Sequence, residues 1–376
     1  MISRFIEKEI LKKLVPGKVV GLFGARRTGK TFLLETIKNE IKGKKILSVH
    51  GGNLDVAEVL SSQRVGVLSK FVSGFDYLFI DEAQTIPKIG ENLKLLVDTN
   101  PKLSILATGS ASFDLRNKIG EPLTGRSIFL HLYPISQLEF SKQENLINTK
   151  ENLDERLIYG SYPQVVTSKT TAEKKDILES IKDGYLLKDI LELDNLKDSL
   201  FILNLLRLIA FQIGQDISYF ELASNLNTQP KTVRRYLELL QKTFVLFSLP
   251  GFSRNLRKEY TKTPRYYFWD NGIRNAVISN YNGLQLRDDV GRLWENYCIS
   301  ERMKRNEYKN VSYNGYYWRT YDQKEIDFVE ERGGRLFGYE MKWKKDKSKK
   351  PKDFLENYKD SKYEVINRDN YLEFVV

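Results

Sequence analysis

The stretch GLFGARRTGKT, residues 21–31, fits the pattern G-x-x-x-x-G-K-[ST] at Gly24, Gly29, Lys30 and Thr31. Before it, Val19 to Phe23 is an apolar run too short for a helix, and after it Thr31 to Ile41 carries apolar residues at helical spacing. Strand, glycine loop and helix in that order are the context in which the pattern makes a phosphate cradle. Glycines let backbone N–H groups curl around phosphate oxygens, and the helix N-terminus adds its positive end. Lys30 reaches the β and γ phosphates, and the Thr31 hydroxyl can ligate magnesium. The candidate ATP-binding residues are therefore Gly24, Ala25, Arg26, Arg27, Thr28, Gly29, Lys30 and Thr31, with Mg2+ as the companion ion, and Arg26 and Arg27 either touch phosphate, face a neighbouring subunit or sit in solvent.

Working outward, Tyr77-Leu78-Phe79-Ile80 is an apolar run ending in Asp81 and Glu82. A buried parallel strand reads this way, and carboxylates at its C-terminal end lie where open α/β sheets bind ligands. Asp81 would hold the magnesium shell and Glu82 would polarise the attacking water, although a strand followed by a polar turn reads the same in isolation. A third strand, Leu103 to Thr108, ends in Gly109-Ser110-Ala111-Ser112, which offers the Ser110 hydroxyl to a γ-phosphate or water. Arg126, beside Gly125 and before the apolar Ile128-Phe129-Leu130, is either a solvated charge or the guanidinium that phosphoryl transfer often needs.

A chain of 376 residues exceeds what one core usually organises, so two to four domains are expected. With 41% hydrophobic and 29% charged residues it reads as globular. No apolar run approaches the roughly 20 residues that cross a bilayer. MISRFIEKEILKK has no signal-peptide core, so no membrane partner and a cytoplasmic setting are expected. Cys298 is the single cysteine and His50 and His131 the only histidines, which excludes an internal disulfide and a Cys/His zinc site. The net charge of +11 suits a polyanion such as DNA and also describes many ordinary proteins.

The pattern from Asp154 to Ile213 is largely helical. Ile217 to Leu226 followed by Asn227 to Leu237 has the layout of a helix-turn-helix, its second helix starting near Pro230. Leu222, Ala223 and Leu226 pack the first helix, and Lys231, Thr232, Arg234 and Arg235 are the DNA-contact candidates on the second. The run Phe244 to Phe247 with Pro250-Gly251 suits a wing hairpin, and a packing or dimerisation role fits the same pattern. Lys262 to Gly272 reads as a strand ending in a turn, Gly291 to Tyr297 opens a helix, and Val311 to Trp318 reads as a strand. Asp327 and the later Glu340-x-Lys342 fall on what reads as a hairpin around Gly333-Gly334, with Glu295 on the preceding helix. Residues two apart on a strand share a face, so Glu295, Asp327 and Glu340 are a candidate second metal set with Lys342 positioning water, or else a salt-bridge ladder. The lysine run Lys342 to Lys352 is a solvated loop or a phosphate grip.

Taken together, GARRTGKT, YLFIDEAQ, ILATGSAS, LTGRSIFLHLYPISQLEF and YGSYPQVV resemble a family of bacterial and archaeal AAA-type ATPases, and the likeness runs through nearly the whole chain. In that family an ATPase precedes a winged-helix region and a C-terminal domain of restriction-endonuclease type. The resemblance implies an additional-strand P-loop fold, with Thr108 to Ser110 at the sensor position and Arg126 at the arginine-finger position. It also implies a homo-oligomer, because such an arginine acts on a neighbour's nucleotide, and it matches Glu295, Asp327, Glu340 and Lys342 to nuclease positions. The sequence shows no clear second-sensor arginine. The expected architecture is α/β: an AAA-type parallel-sheet ATPase domain over 1–150, a helical connecting region over 151–215, a winged-helix region over 216–290 and a restriction-endonuclease-like α/β domain over 291–376. The expected function is ATP hydrolysis that drives or gates DNA engagement, with metal-dependent cleavage as an addition. The alternative is an ATP-gated oligomeric switch or scaffold that binds protein partners.

Overall fold

The computed structural model describes residues 2–110, 123, 125–186, 199–253, 263–320, 324–344 and 351–376. Ala111, Ser112, Thr124, Lys262 and residues 345–350 of the lysine run lie outside them. The chain divides into two compact units, one comprising residues up to Tyr133 with Lys242–Phe244, the other most of Pro134 to Val376.

In the first unit, helix α1 (Glu7–Lys13) precedes strand β1 (Val19–Phe23) and α2 (Lys30–Glu40). There follow β2 (Ile46–His50), α3 (Leu54–Leu60), α4 (Val65–Phe71), β3 (Tyr77–Asp81), α5 (Ile89–Thr99), β4 (Ser104–Gly109) and β5 (Ser127–His131). The five strands form one parallel sheet in the order β2-β3-β4-β1-β5. Every residue of β1 and β4 is buried, as a parallel strand covered on both faces requires. Fully burying Val19, Val20, Leu22 and Phe23 contributes about 1.5–3 kcal/mol per side chain before entropy. β4 lies between β1 and β3, so Phe23 pairs with Gly109 and the ends of the three strands converge on the loop after β1.

The second unit opens with helices α6 (Gln137–Phe140), α7 (Leu146–Glu151), α8 (Leu153–Tyr159), α9 (Pro163–Thr167) and α10 (Thr171–Ser180). It continues with α11 (Ser199–Phe211), α12 (Tyr219–Asn225), α13 (Pro230–Lys242), β6 (Leu246–Leu249), β7 (Arg265–Phe268), α14 (Asn271–Val277) and α15 (Val290–Tyr308). Last come β8 (Asn314–Arg319), β9 (Glu325–Arg332), β10 (Arg335–Met341), α16 (Lys352–Asn357), β11 (Lys362–Ile366) and α17 (Tyr371–Val375). β8, β9 and β10 run antiparallel, and β11 joins β10 in parallel after the α16 crossover. Gly333 and Gly334, at φ +55° and +77°, supply the left-handed pair that a two-residue hairpin needs.

Two sequence expectations shift here. Asp270-Asn271-Gly272 is a helix start, because the Asp270 side chain accepts the Ile273 N–H at 3.1 Å and caps α14. The strand expected from Val311 begins at Asn314, since Val311 N–H still donates to Asn306 O at the end of α15. Helix α15 is the axis of this unit. Its buried Arg302 forks onto Glu330 at 2.7 and 2.9 Å, Lys304 pairs with Glu301 at 2.7 Å, and Asn296 bonds both backbone groups of Phe268 at 2.8 and 3.0 Å. Buried charges persist only when paired in this way.

Candidate functional site

The loop between β1 and α2 is built by close approach. A side chain at Gly24 would place its Cβ 2.1 Å from Leu132 O, and Gly29 takes φ +96° where α2 begins. Thr28 donates to Ala25 O at 2.9 Å, and Arg4 donates to Thr28 O at 2.7 Å and Tyr133 O at 2.5 Å, tying the loop to both sides. Arg4 had no signal in the sequence, because its partners are backbone atoms far along the chain. Lys30 lies inside the loop, its Nζ donating to Gly24 O and Ala25 O at 2.9 Å each.

Opposite the loop, the Thr31 hydroxyl donates to Asp81 Oδ2 at 2.7 Å, and Thr108 donates to Asp81 Oδ1. The Glu82 N–H donates in turn to Thr108 Oγ1 at 3.1 Å. Residues from α2, β3 and β4 are thus linked in one chain of hydrogen bonds. Glu82 stands in the left-handed region at φ +53°, a strained position for a non-glycine residue that turns its side chain away from the strand direction. Gln84 donates to both Glu82 Oε2 and, at 3.2 Å, Ser110 Oγ, fixing the carboxylate against the end of β4. Gln84 stands two places after Glu82, and nothing in that local sequence marks its reach to Ser110, 26 residues on.

Arg126 lies elsewhere. It precedes β5, and its carbonyl accepts the Val19 N–H at 2.9 Å, at the edge of the sheet opposite Gly24. Counting along β1 puts about 20 Å between the two levels. Its guanidinium is ion-paired with Asp98 of α5. Within one chain, Arg126 therefore does not join Lys30, Asp81, Glu82 and Ser110.

In the second unit, Ser218 caps α12 by accepting the Glu221 N–H at 3.3 Å, and Asn227 at φ +49° turns the chain toward α13. Val233, Tyr236, Leu237 and Leu240 of α13 are buried, while Lys231, Arg234 and Arg235 are exposed and Thr232 half-buried. The pattern is an amphipathic helix with a basic outer face. β6 pairs antiparallel with β7 after it.

Glu295, Asp327, Glu340 and Lys342 converge where α15 crosses β7, β9 and β10. The Tyr267 hydroxyl donates to Glu295 Oε1 at 2.8 Å, the Met341 N–H donates to Asp327 Oδ2 at 2.7 Å, and Lys342 Nζ pairs with Glu340 Oε1 at 2.7 Å. Glu340 Oε2 is buried with no hydrogen-bond partner. Burial pushes the Glu295 carboxyl up to about 7, outweighing the Tyr267 hydroxyl and Arg265. Asp327 is raised well above the usual carboxylate range by burial and by Glu295 and Glu340. Burial alone would lower Lys342, but Glu340 and Asp327 hold it above its ordinary value. Among the described residues no group of three or more His, Cys, Asp or Glu side chains is arranged to hold a metal ion. The spacing does bring the three carboxylates and Lys342 together, and each carboxylate places one oxygen on a protein partner.

Comparison with known proteins divides the chain in three. Residues 16–141 match the family model of an AAA domain, 150–285 match a domain of unknown function (DUF8612), and 290–374 match another (DUF4143). An uncharacterized protein of Haemophilus influenzae is 26% identical over 99% of this chain and 94% of its own length. An uncharacterized protein of Methanocaldococcus jannaschii is 24% identical over 97% and 84%. Among solved structures, the Walker-type ATPase paby2304 of Pyrococcus abyssi is similar at 16% identity and TM-score 0.47, over 74% of this chain and 96% of that one. No helix among the described residues is long and apolar enough to cross a membrane. With its phosphate loop, its parallel sheet and its family match, the region over residues 16–141 is an AAA-type P-loop ATPase domain.

Proposed function

We propose that the chain hydrolyses ATP at the loop Gly24 to Thr31 and couples the cycle to DNA engagement by helix α13 and the region after it. One observation carries the catalytic part: Thr31, Asp81 and Thr108 form a hydrogen-bonded chain beside the loop, with Glu82 next in sequence. Thr31 and Asp81 are an all-oxygen pair suited to a hard cation. A magnesium ion held there would neutralise charge on the β and γ phosphates. Lys30 leaves the Gly24 and Ala25 carbonyls to pair with phosphate oxygens, and the loop amides orient them. Glu82 orients the attacking water and accepts its proton, held in place by Gln84 and Ser110. Arg126 completes the site of a neighbouring copy, which makes the working form a homo-oligomer.

The exposed Lys231, Arg234 and Arg235 support a DNA-facing helix in the winged-helix region over 216–290. A second reading of the C-terminal region, in which it binds partners and does not cleave, is supported by the absence among the described residues of a His, Cys, Asp or Glu group arranged for a metal ion.

The test is ATP turnover with duplex DNA present and absent, beside equilibrium DNA titrations at two salt concentrations. Lys30→Ala is expected to lower turnover by about a hundredfold or more, a loss typical of removing one charge-stabilising donor. Unchanged turnover would overturn the catalytic assignment, and no salt-dependent DNA affinity would leave the protein-partner reading.

A further inference from the structure

A cavity of about 350 Å3 opens beside Trp343, lined also by Lys150, Leu153, Lys344, Asn367, Arg368 and Asp369. The volume lies in the range of small-molecule sites. It stands at the carboxyl ends of the parallel pair β10 and β11, where Met341 pairs with Ile366 and the chains leave as Lys342-Trp343-Lys344 and Asn367-Arg368-Asp369. Crevices at such ends are where open α/β sheets take ligands.

Its lining is chemically selective. The Arg368 guanidinium lies over the Trp343 ring at 4.6 Å, and the edge-on Trp294 ring, 5.5 Å from Trp343 at 67°, backs the indole. Trp294 is itself fixed, its Nε1–H donating to Ile366 O at 3.3 Å. Arg368 is exposed, so the guanidinium stacked on the indole offers its outer face to a flat ring. Lys150 and Lys344 are both exposed at the rim, and neither makes an ion pair among the described residues. Three cations face the single carboxylate of Asp369, so the cleft is positive overall. Asn367 uses its Oδ1 to accept the Asp369 N–H at 2.8 Å, which leaves its amide NH2 for a ring-edge acceptor.

We propose that this cleft binds a nucleoside phosphate, the base stacked on the Trp343–Arg368 platform and the phosphate held by Lys150 and Lys344. The ligand is either a free nucleotide or one nucleotide of a single strand. The inference uses neither the loop at Gly24 nor the exposed face of α13.

The test is calorimetric titration of the full chain carrying Lys30→Ala, so that the first phosphate site is weakened. The titrants are thymidine, thymidine 5′-monophosphate and a ten-nucleotide thymidine strand with a 5′-phosphate. Saturable binding of the monophosphate assigns a free nucleotide, and binding of the strand alone assigns nucleic acid. In either case Trp343→Leu or Arg368→Ala should weaken binding by about tenfold, the usual effect of removing a stacking group. Lys150→Ala with Lys344→Ala should weaken it and flatten its salt dependence. Thymidine without phosphate should bind at least tenfold more weakly. Because Arg368, Lys150 and Lys344 are exposed, their variants keep the test open if Trp343→Leu fails to fold. Absence of binding by both phosphorylated titrants, or binding indifferent to the Arg368 and lysine variants, overturns the proposal. ATP turnover by Arg368→Ala with Lys30 intact should equal that of the parent chain, so failure here leaves the ATPase reading standing.

Discussion

At Gly24 the chain has no room for one carbon atom. A Cβ would meet Leu132 O at 2.1 Å and Thr28 Oγ1 at 3.2 Å, so backbone must move on one side or the other. Gly24→Ala should therefore cost about 1–3 kcal/mol of overpacking strain and displace the amides that face phosphate. Thermal unfolding and nucleotide titration check this, and unchanged nucleotide affinity would contradict the geometry. Asp289 shows the opposite economy, a charge fixed by its partners. Burial would push its carboxyl up, but the Arg287 fork at 2.7 and 2.8 Å and the Arg274 pair hold it at about 2. A depressed carboxyl adds stability above its ordinary pKa of 3.8 and loses that contribution as pH falls through about 2. The shift is worth at most about 2 kcal/mol. Asp289→Asn should thus destabilise the chain near neutral pH in urea unfolding, with the difference from the parent shrinking between pH 4 and 2.

At the level of elements, α13 separates packing from surface chemistry. Leu237 and Leu240 are fully buried while Arg234 and Arg235 are exposed. Leu240→Ala is expected to cost about 2–5 kcal/mol, because the cavity left behind adds to the lost transfer energy. Arg234→Ala with Arg235→Ala should change stability by no more than about 0.5 kcal/mol. The same pair should weaken duplex DNA binding and make its log–log salt dependence shallower by about one to two. A DNA affinity indifferent to both arginines would place α13 among ordinary packing helices. The element pattern was readable because α13 repeats apolar residues at helical spacing. The start of α14 was not, since the sequence Asp-Asn-Gly serves a turn or a cap equally well and the Asp270 hydrogen bond to Ile273 decides between them.

For the whole molecule, the informative residue is Arg126. It stands at the sheet edge opposite its own phosphate loop, so any action on a nucleotide must be on that of another copy. Lys30→Ala keeps Arg126, and Arg126→Ala keeps the loop. Each alone should be nearly inactive, and mixing them should restore part of the ATP turnover. No recovery in the mixture, with both variants folded, would remove Arg126 from catalysis.

The sequence by itself determined the phosphate loop, because the pattern at Gly24, Gly29, Lys30 and Thr31 states local backbone geometry that neighbouring residues complete. It also determined β3 and β4, which end at Asp81 and Gly109, since short apolar runs bounded by polar residues have few other readings. Only the tertiary structure decided what the spaced residues meet. Glu295, Asp327 and Glu340 come together as expected from their spacing, and one oxygen of each meets Tyr267, the Met341 amide or Lys342. Tyr267 arrives from another strand and the Met341 amide is a backbone atom, and periodicity encodes neither. The same holds for Arg4 under the loop, Gln84 against Ser110, and Arg368 over Trp343. A local pattern is written in consecutive residues, whereas a contact between distant side chains depends on how the sheets and helices pack.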